Sequence, residues 1–481
     1  MLDPNNFDRA RCRWTGGALR TPVQGHDMPF LARLRRPGIR KAGAAALTVG
    51  LVALFAACGQ NHPDSIFHQR TDVNRDVDFL FRILIWAGSI VFVLVEAILV
   101  YALVKYRKRP GQAEPEHVHG NTALEITWTV VPLLILVIIG IPTITTIFKT
   151  QAQARSDALQ VEVVGHQWWW EFRYPQYNIV TANELYLPLG RTVDFTLRSA
   201  DVIHSFWVPA LSGKRDVMPV MPHAVTNHTN HLWYTPDSTT AAAFNGACVE
   251  YCGASHANMR FKAFTVSPAD FESWAKHQQE PAVGSQPPAP VVPVPTATPG
   301  ATPPATKTAA ATTTAPPAAT ANAAAAAAQQ PAPTQVLQAG FIGFPREQIP
   351  EDAVPKTPYP AGLTFDDNLL ATGDAANGVK LMTGPAGCLG CHTINGVPAM
   401  VGVIGPNLTH IATRTTIGAA TYPNDPQHLA RWIKNDEAMK PGSIMPVLGE
   451  GQYDPRMHMM SPYKLTDKQI ADIVAYLQTL K

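Results

Sequence analysis

Charge is scarce in this 481-residue chain. Asp, Glu, Lys and Arg make up 15% of it, against roughly 25% in ordinary soluble globular proteins. The formal net charge is +2, from 38 basic and 36 acidic side chains, which excludes a strongly basic nucleic-acid binder. Cysteine is also scarce, and six cysteines in so long a chain exclude a disulfide-built scaffold. Cys12 and Cys58 stand alone, whereas Cys248/Cys252 and Cys388/Cys391 are close pairs at different spacings. Two different sites are therefore expected. Proline is abundant: 43 residues is nearly double the usual ~5%. Low charge points to membrane-embedded stretches, and excess proline to an extended segment that buries no core.

Residues 1–57 read as a signal or targeting segment, with Arg33, Arg35, Arg36, Arg40 and Lys41 ahead of the small-apolar run 42–57. The sequence Leu54-Phe55-Ala56-Ala57-Cys58 resembles a lipoprotein signal, with Phe55 in place of the usual Leu. A non-lipidated signal or an uncleaved anchor helix is the alternative, and Cys12 has no assigned role. A transmembrane helical hairpin is expected at 76–150. Its first apolar run, 83–104, carries only Glu96 over 22 positions, and its second, 126–148, carries no charge over 23. Each is long enough to cross a bilayer core of about 30 Å. The loop Lys105-Tyr106-Arg107-Lys108-Arg109 predicts a cytoplasmic connection and places everything after residue 149 on the outer face of a bacterial cytoplasmic membrane.

Short aromatic and β-branched runs over 158–278 read as an antiparallel all-β sandwich or barrel. Residues 279–335 read as a Pro/Ala/Thr-rich linker, since 281–333 hold 13 prolines and Lys307 as the one charge. A flexible chain of that length reaches about 40 Å. The last module, 365–481, ends in a helix whose Ile470, Ile473, Val474 and Leu477 share a face, with Thr466 and Gln469 forming a capping box.

Cys388-Leu389-Gly390-Cys391-His392 is C-x-x-C-H, the signature of covalent c-type haem attachment. The two thiols can add to the haem vinyl groups while the adjacent histidine reaches the iron; a redox dithiol or half a zinc site is the competing reading, against which no second cysteine pair follows in this module. Met439, Met445, Met457, Met459 and Met460 are candidates for a sixth ligand, which would favour electron transfer over substrate binding. The segments GDAANGVKLM, Gly405-Pro406-Asn407-Leu408 and Ser443-Ile444-Met445-Pro446 resemble a class I cytochrome c, a small all-α fold. That resemblance implies Met445 as the axial ligand, with Met459 and Met460 left to packing or surface.

Cys248-Val249-Glu250-Tyr251-Cys252, with His256 and Met259, gives C-x-E-x-C-x3-H-x2-M. Thiolates, imidazole and thioether form a soft set that favours copper, and His204 is the expected second imidazole. A Cys248–Cys252 disulfide is the competing reading. Together with the two membrane helices, this pattern resembles subunit II of haem-copper cytochrome c oxidases through about residue 275. The resemblance implies a cupredoxin-like sandwich holding binuclear copper A. In it Cys248 and Cys252 bridge two copper ions, His204 and His256 bind one each, Met259 binds weakly, and Glu250 binds through its carbonyl. The Glu250 carboxylate would reach a magnesium ion shared with subunit I. In Gln167-Trp168-Trp169-Trp170-Glu171-Phe172, Trp168 matches the family's electron-input tryptophan, and core packing is the plainer reading of the other rings. Glu125 matches a glutamate near a proton-uptake entrance or is an interfacial carboxylate at a helix start. Val220-Met221 replaces the family's Gly-Arg, which puts a positive contact with subunit I in doubt. His228 and His231 are expected to be surface or turn residues.

The combination resembles the caa3-type subunit II, a copper A protein fused to its own cytochrome c. It implies electron transfer from haem c to copper A and on to subunit I, where oxygen is reduced and protons are pumped. Subunit III, membrane lipid and an external electron donor are the further partners implied. The alternatives are the electron-input subunit of a copper A nitric oxide reductase and a non-enzymatic membrane-anchored redox carrier. The linker would raise the local concentration of donor at acceptor.

Overall fold

The computed structural model describes residues 49–50, 64–112, 119–219, 229–237, 241–282, 340–351 and 353–481. Most of the signal segment, including Cys12, together with Cys58, most of the linker, Val220-Met221 and His228 lie outside these residues.

Two long helices come first, α1 (Asp72–Lys105) and α2 (Thr122–Gln151). Both extend beyond the apolar runs because polar caps close them. Thr71 accepts from Asn74 N at the start of α1, and Asn121 accepts from Leu124 N at the start of α2. Their apolar side chains are exposed along the helix, as expected where lipid is the solvent. Pro132 and Pro142 sit inside α2.

Among the described residues ten strands follow: β1 (Leu159–His166), β2 (Trp169–Tyr174), β3 (Ile179–Ala182), β4 (Glu184–Pro188), β5 (Val193–Ser199), β6 (His204–Trp207), β7 (Arg215–Val217), β8 (Asn230–Tyr234), β9 (Ala242–Cys248) and β10 (Arg260–Val266). They form two five-stranded sheets, ordered β3-β2-β1-β5-β8 and β4-β10-β9-β6-β7. Alternation along β5, where Val193, Phe195, Leu197 and Ser199 are buried, turns one face inward against the other sheet. Between the sheets pack Trp170, Phe172, Phe206 and Phe261, with the Phe206 and Phe261 rings stacked at 5.0 Å. The expectation of an antiparallel sandwich is corrected in one respect. β1 pairs with β5, and β10 with β4, in parallel. The intervening strands cross to other positions, so these neighbours arrive in the same direction. Helix α3 (Pro268–Gln279) closes the edge, its Phe271 and Trp274 buried against Tyr174.

The C-terminal module is helical, as read. Its principal helices are α4 (Ala375–Met382), α5 (Pro426–Lys434), α6 (Asp436–Met439) and α7 (Asp467–Leu477). The Thr466/Gln469 capping box is present, and Ile470, Ile473, Val474 and Leu477 are buried. Helices α4 and α7 cross where Gly378 lets the backbones touch: a Cβ there would lie 2.2 Å from the Asp472 carbonyl oxygen.

Candidate metal and haem centres

The loop between β9 and β10 is closed at its base by a hydrogen bond from Cys248 N to Met259 O, 2.9 Å. Val249 N donates to Ser205 O at 3.0 Å, which fastens the loop to β6, where His204 is the first residue. Folding therefore brings His204, 44 residues upstream, beside the Cys248 thiol, with Nδ1 3.8 Å from Sγ. The Cys248 and Cys252 sulfurs are 3.8 Å apart, well beyond the ~2.05 Å of a disulfide. The His256 Nδ1 lies 3.6 Å and the Met259 Sδ 3.7 Å from the Cys252 sulfur, and the Glu250 carbonyl 3.2 Å from that of Cys248. Five side chains and one carbonyl thus converge. The Glu250 side chain itself is exposed.

Electrostatics favour metal here. The adjacent Cys252 thiol, opposed by burial and aided by His204, pulls the Cys248 thiol well below its ordinary range. The Cys252 thiol is correspondingly raised, first by that thiolate beside it and then by burial. A cation shared between the two sulfurs removes this conflict. Burial opposes charge on His204, but hydrogen bonds with Asp201 and Cys248 raise its imidazole. Asp201 Oδ1 lies 2.8 Å from His204 Nε2, which fixes the ring and leaves Nδ1 toward the sulfurs. Asp201 lies three residues before His204, and this orienting role is one the sequence reading missed.

The three consecutive tryptophans divide their work. Trp170 is fully buried and meets the His204 ring edge-on, with centroids 6.0 Å apart. Trp169 stacks on His166 at 4.2 Å and packs with Ala182 and Ala419. Trp168 is half-buried, and its Nε1 donates to the Cys252 carbonyl at 3.0 Å. Gln167 Nε2 donates to the same oxygen at 2.7 Å.

Trp168 also lines a cavity whose wall includes Cys388, Cys391, His392 and Met445. The C-x-x-C-H segment forms one tight turn, with Cys391 N and His392 N both donating to Cys388 O. The His392 Nδ1–H donates to the Pro406 carbonyl at 2.8 Å, since a carbonyl can only accept, and Nε2 is left for the iron. Burial lowers the His392 pKa and keeps the imidazole neutral, as a ligand must be. Gly405 makes the room: a Cβ there would fall 2.6 Å from His392 Cε1. Apolar Leu429, Ile433, Ile473 and Leu477 supply much of the remaining wall. These residues fit a covalently held haem. Of the five candidate methionines, Met445 lines the cavity, which buried Met382 also borders. Met439 is buried, with its carbonyl accepting from Tyr422, and Met457, Met459 and Met460 are exposed.

His231 is exposed, 3.9 Å from Asp194. Glu125 lies in the first turn of α2. Neither approaches the two centres described above.

A membrane-anchored electron carrier with a thiolate metal cluster and a c-type haem pocket is the class this fold and site define. The cytochrome c oxidase subunit II transmembrane-domain family matches residues 63–146, its periplasmic-domain family 178–266, and the cytochrome c family 375–481. Cytochrome c oxidase subunit 2 of Alkalihalophilus pseudofirmus is 27% identical over 82% of this chain and 84% of its own length. That of Bacillus subtilis is 39% identical over 38% of this chain and 53% of its own length. The periplasmic domain of subunit II from Bradyrhizobium japonicum is a solved structure at 25% identity, covering 26% of this chain and 97% of that one, with a TM-score of 0.24. The chain belongs to the cytochrome c oxidase subunit II family, in the form that carries its own cytochrome c domain. It is membrane-anchored, brings electrons into a haem-copper oxidase and associates with subunit I.

Proposed function

We propose that Cys388, Cys391, His392 and Met445 hold haem c, and that His204, Cys248, Cys252, His256, Met259 and the Glu250 carbonyl hold two copper ions. When bound, these groups supply reversible one-electron chemistry at low reorganisation cost. The single observation carrying this reading is Trp168, which donates to the Cys252 carbonyl while lining the haem cavity. Electrons then run from an external donor through the haem domain to the copper domain and on to subunit I, where oxygen is reduced and protons are pumped. Asp201 and the Pro406 carbonyl hold the two imidazoles so that each presents one nitrogen inward.

The exposed Glu250 carboxylate is available to a magnesium ion shared with subunit I. Both redox domains belong on the outer face, with subunit III, lipid and the donor as further partners. The domain limits proposed are 1–57, 76–150, 158–278, 279–335 and 365–481.

Optical and electron-paramagnetic spectra of the purified complex, with metal analysis, test the reading. One haem c and two coppers per chain are expected. Haem c without copper would remove the copper A assignment.

A further inference from the structure

Glu184 is a carboxylate on the copper domain with 2% exposure, and nothing in the metal site uses it. Its Oε1 accepts three hydrogen bonds, all from the haem domain: Thr415 N at 2.6 Å, Thr415 Oγ1 at 2.6 Å and Thr416 N at 3.2 Å. These donors lie 231 and 232 residues away along the chain. The next residue of the haem-domain segment to cross is Ala419, which packs on Trp169 and Ala182. The corner carrying Glu184 is rigidly joined to the tryptophan strand, because Asn183 N donates to Trp170 O and Trp170 N donates to Asn183 Oδ1, each at 2.9 Å. Residues that follow the linker reinforce the seat. Phe344 is buried in the copper-domain core, stacked on Phe264 at 4.7 Å, and Arg346 donates to the Arg414 carbonyl at 2.7 Å.

We infer that Glu184 and the three donors of Thr415–Thr416, two backbone N–H groups and the Thr415 hydroxyl, form a latch that seats the haem domain in one orientation on the copper domain, with Trp168 at the meeting point. Glu184 is a positioning residue, since it touches neither cofactor site. The latch gives a domain on a long linker one preferred orientation. The linker supplies concentration, whereas three convergent donors on one buried oxygen supply orientation. This inference rests on the two-centre reading above only for its benefit to electron transfer; the docking itself is read independently.

The linker masks a weakened interface by mass action, so the test removes it. A protease site is placed within 283–339 of the full chain in the detergent-purified complex. After cleavage, the haem absorbance is followed on gel filtration through a dilution series. Before that, copper and haem spectra establish that each variant holds both centres. The cleaved parent chain is expected to keep its haem fragment with the complex. Glu184→Ala is expected to release it at about 10- to 100-fold higher concentration, as loss of charge-assisted hydrogen bonds to one acceptor implies. Glu184→Gln, whose amide oxygen still accepts, is expected to restore most of the retention. Should Glu184→Ala lose copper, Thr415→Val decides from the opposite side: weaker retention supports the latch, and parent-like retention overturns it. Equal retention of parent and Glu184→Ala likewise overturns it. Flash-induced haem-to-copper electron transfer, measured on the uncleaved chains, separates failure of the relay from failure of the latch.

Discussion

The Lys440 ammonium donates to the Trp168 carbonyl oxygen at 2.5 Å, joining the residue that caps α6 to the β1–β2 turn beside Cys252. Trp168 is therefore held from both sides, its main chain by the haem domain and its indole by the copper loop. Lys440→Met removes the donor and leaves a carbonyl without its partner in a buried contact, a loss of about 1–3 kcal/mol of docking. Slower haem-to-copper transfer after flash reduction is expected, with both spectra unchanged. An unaltered rate would show that the contact does not set the distance.

Met445 lines the haem cavity while Met457, Met459 and Met460 face solvent. Replacing Met445 by Ala should lower the haem potential, because a thioether ligand stabilises ferrous iron, while the thioether links through Cys388 and Cys391 keep the haem attached. Redox titration monitored optically checks this. Met459→Leu serves as the control and should titrate like the parent. A Met459→Leu shift with Met445→Ala silent would reassign the ligand.

Much of the site was legible because its chemistry is local. C-x-x-C-H lies on one tight turn and C-x-E-x-C-x3-H-x2-M on the one loop between β9 and β10, so short spacing carries most of the signal, while His204 arrives from 44 residues upstream. Asp201 stood within reach of the same reasoning, three residues from His204. Glu184 and Lys440 were not legible, since their partners lie 231 and 272 residues away and no periodicity marks a residue for a contact that remote. Strand direction escaped for a related reason. Alternation in β1 and β5 tells which face is buried, not which way the neighbour runs.

Gly405 is a second test of the haem pocket. Gly405→Ala would drive a Cβ to 2.6 Å from His392 Cε1, against a ring tethered to the Pro406 carbonyl. Overpacking of this kind costs about 1–3 kcal/mol. Reduced haem incorporation and an earlier thermal transition of the haem domain are expected, with copper content unaffected. Full incorporation at parent stability would mean that the ring shifts freely.

On the proposed ligand assignment, copper loading requires both thiols. Cys252→Ser should abolish the paired-copper signal, because a serine hydroxyl does not bridge soft metal ions, and metal analysis should fall from about two coppers per chain to one or none. The haem spectrum should persist, since that domain has its own buried core. Retention of both coppers would argue that the Cys248 sulfur holds the pair alone.

Two buried charges give the haem domain a pH signature. Burial raises the carboxyl of Asp436, which has no exposed surface, to about 7 from an ordinary 3.8. The folded state thus keeps a proton that the unfolded chain has released. Its stabilising contribution is fully present below about pH 4 and is lost as pH rises through about 7. Burial pushes Lys440 the other way, down to about 7 from 10.5. Between about 7 and 10 the unfolded chain holds the extra proton, so this contribution grows as pH rises. The two windows meet near neutrality and predict a shallow stability minimum there, each limb worth roughly 1 kcal/mol or more. Thermal midpoints measured from about pH 5 to about pH 9 should show it. Asp436→Asn should flatten the acid limb and leave the alkaline one, and Lys440→Met should do the reverse. A parent profile that rises or falls steadily across this range, with both variants parallel to it, would sink the assignment of the pH response to this pair.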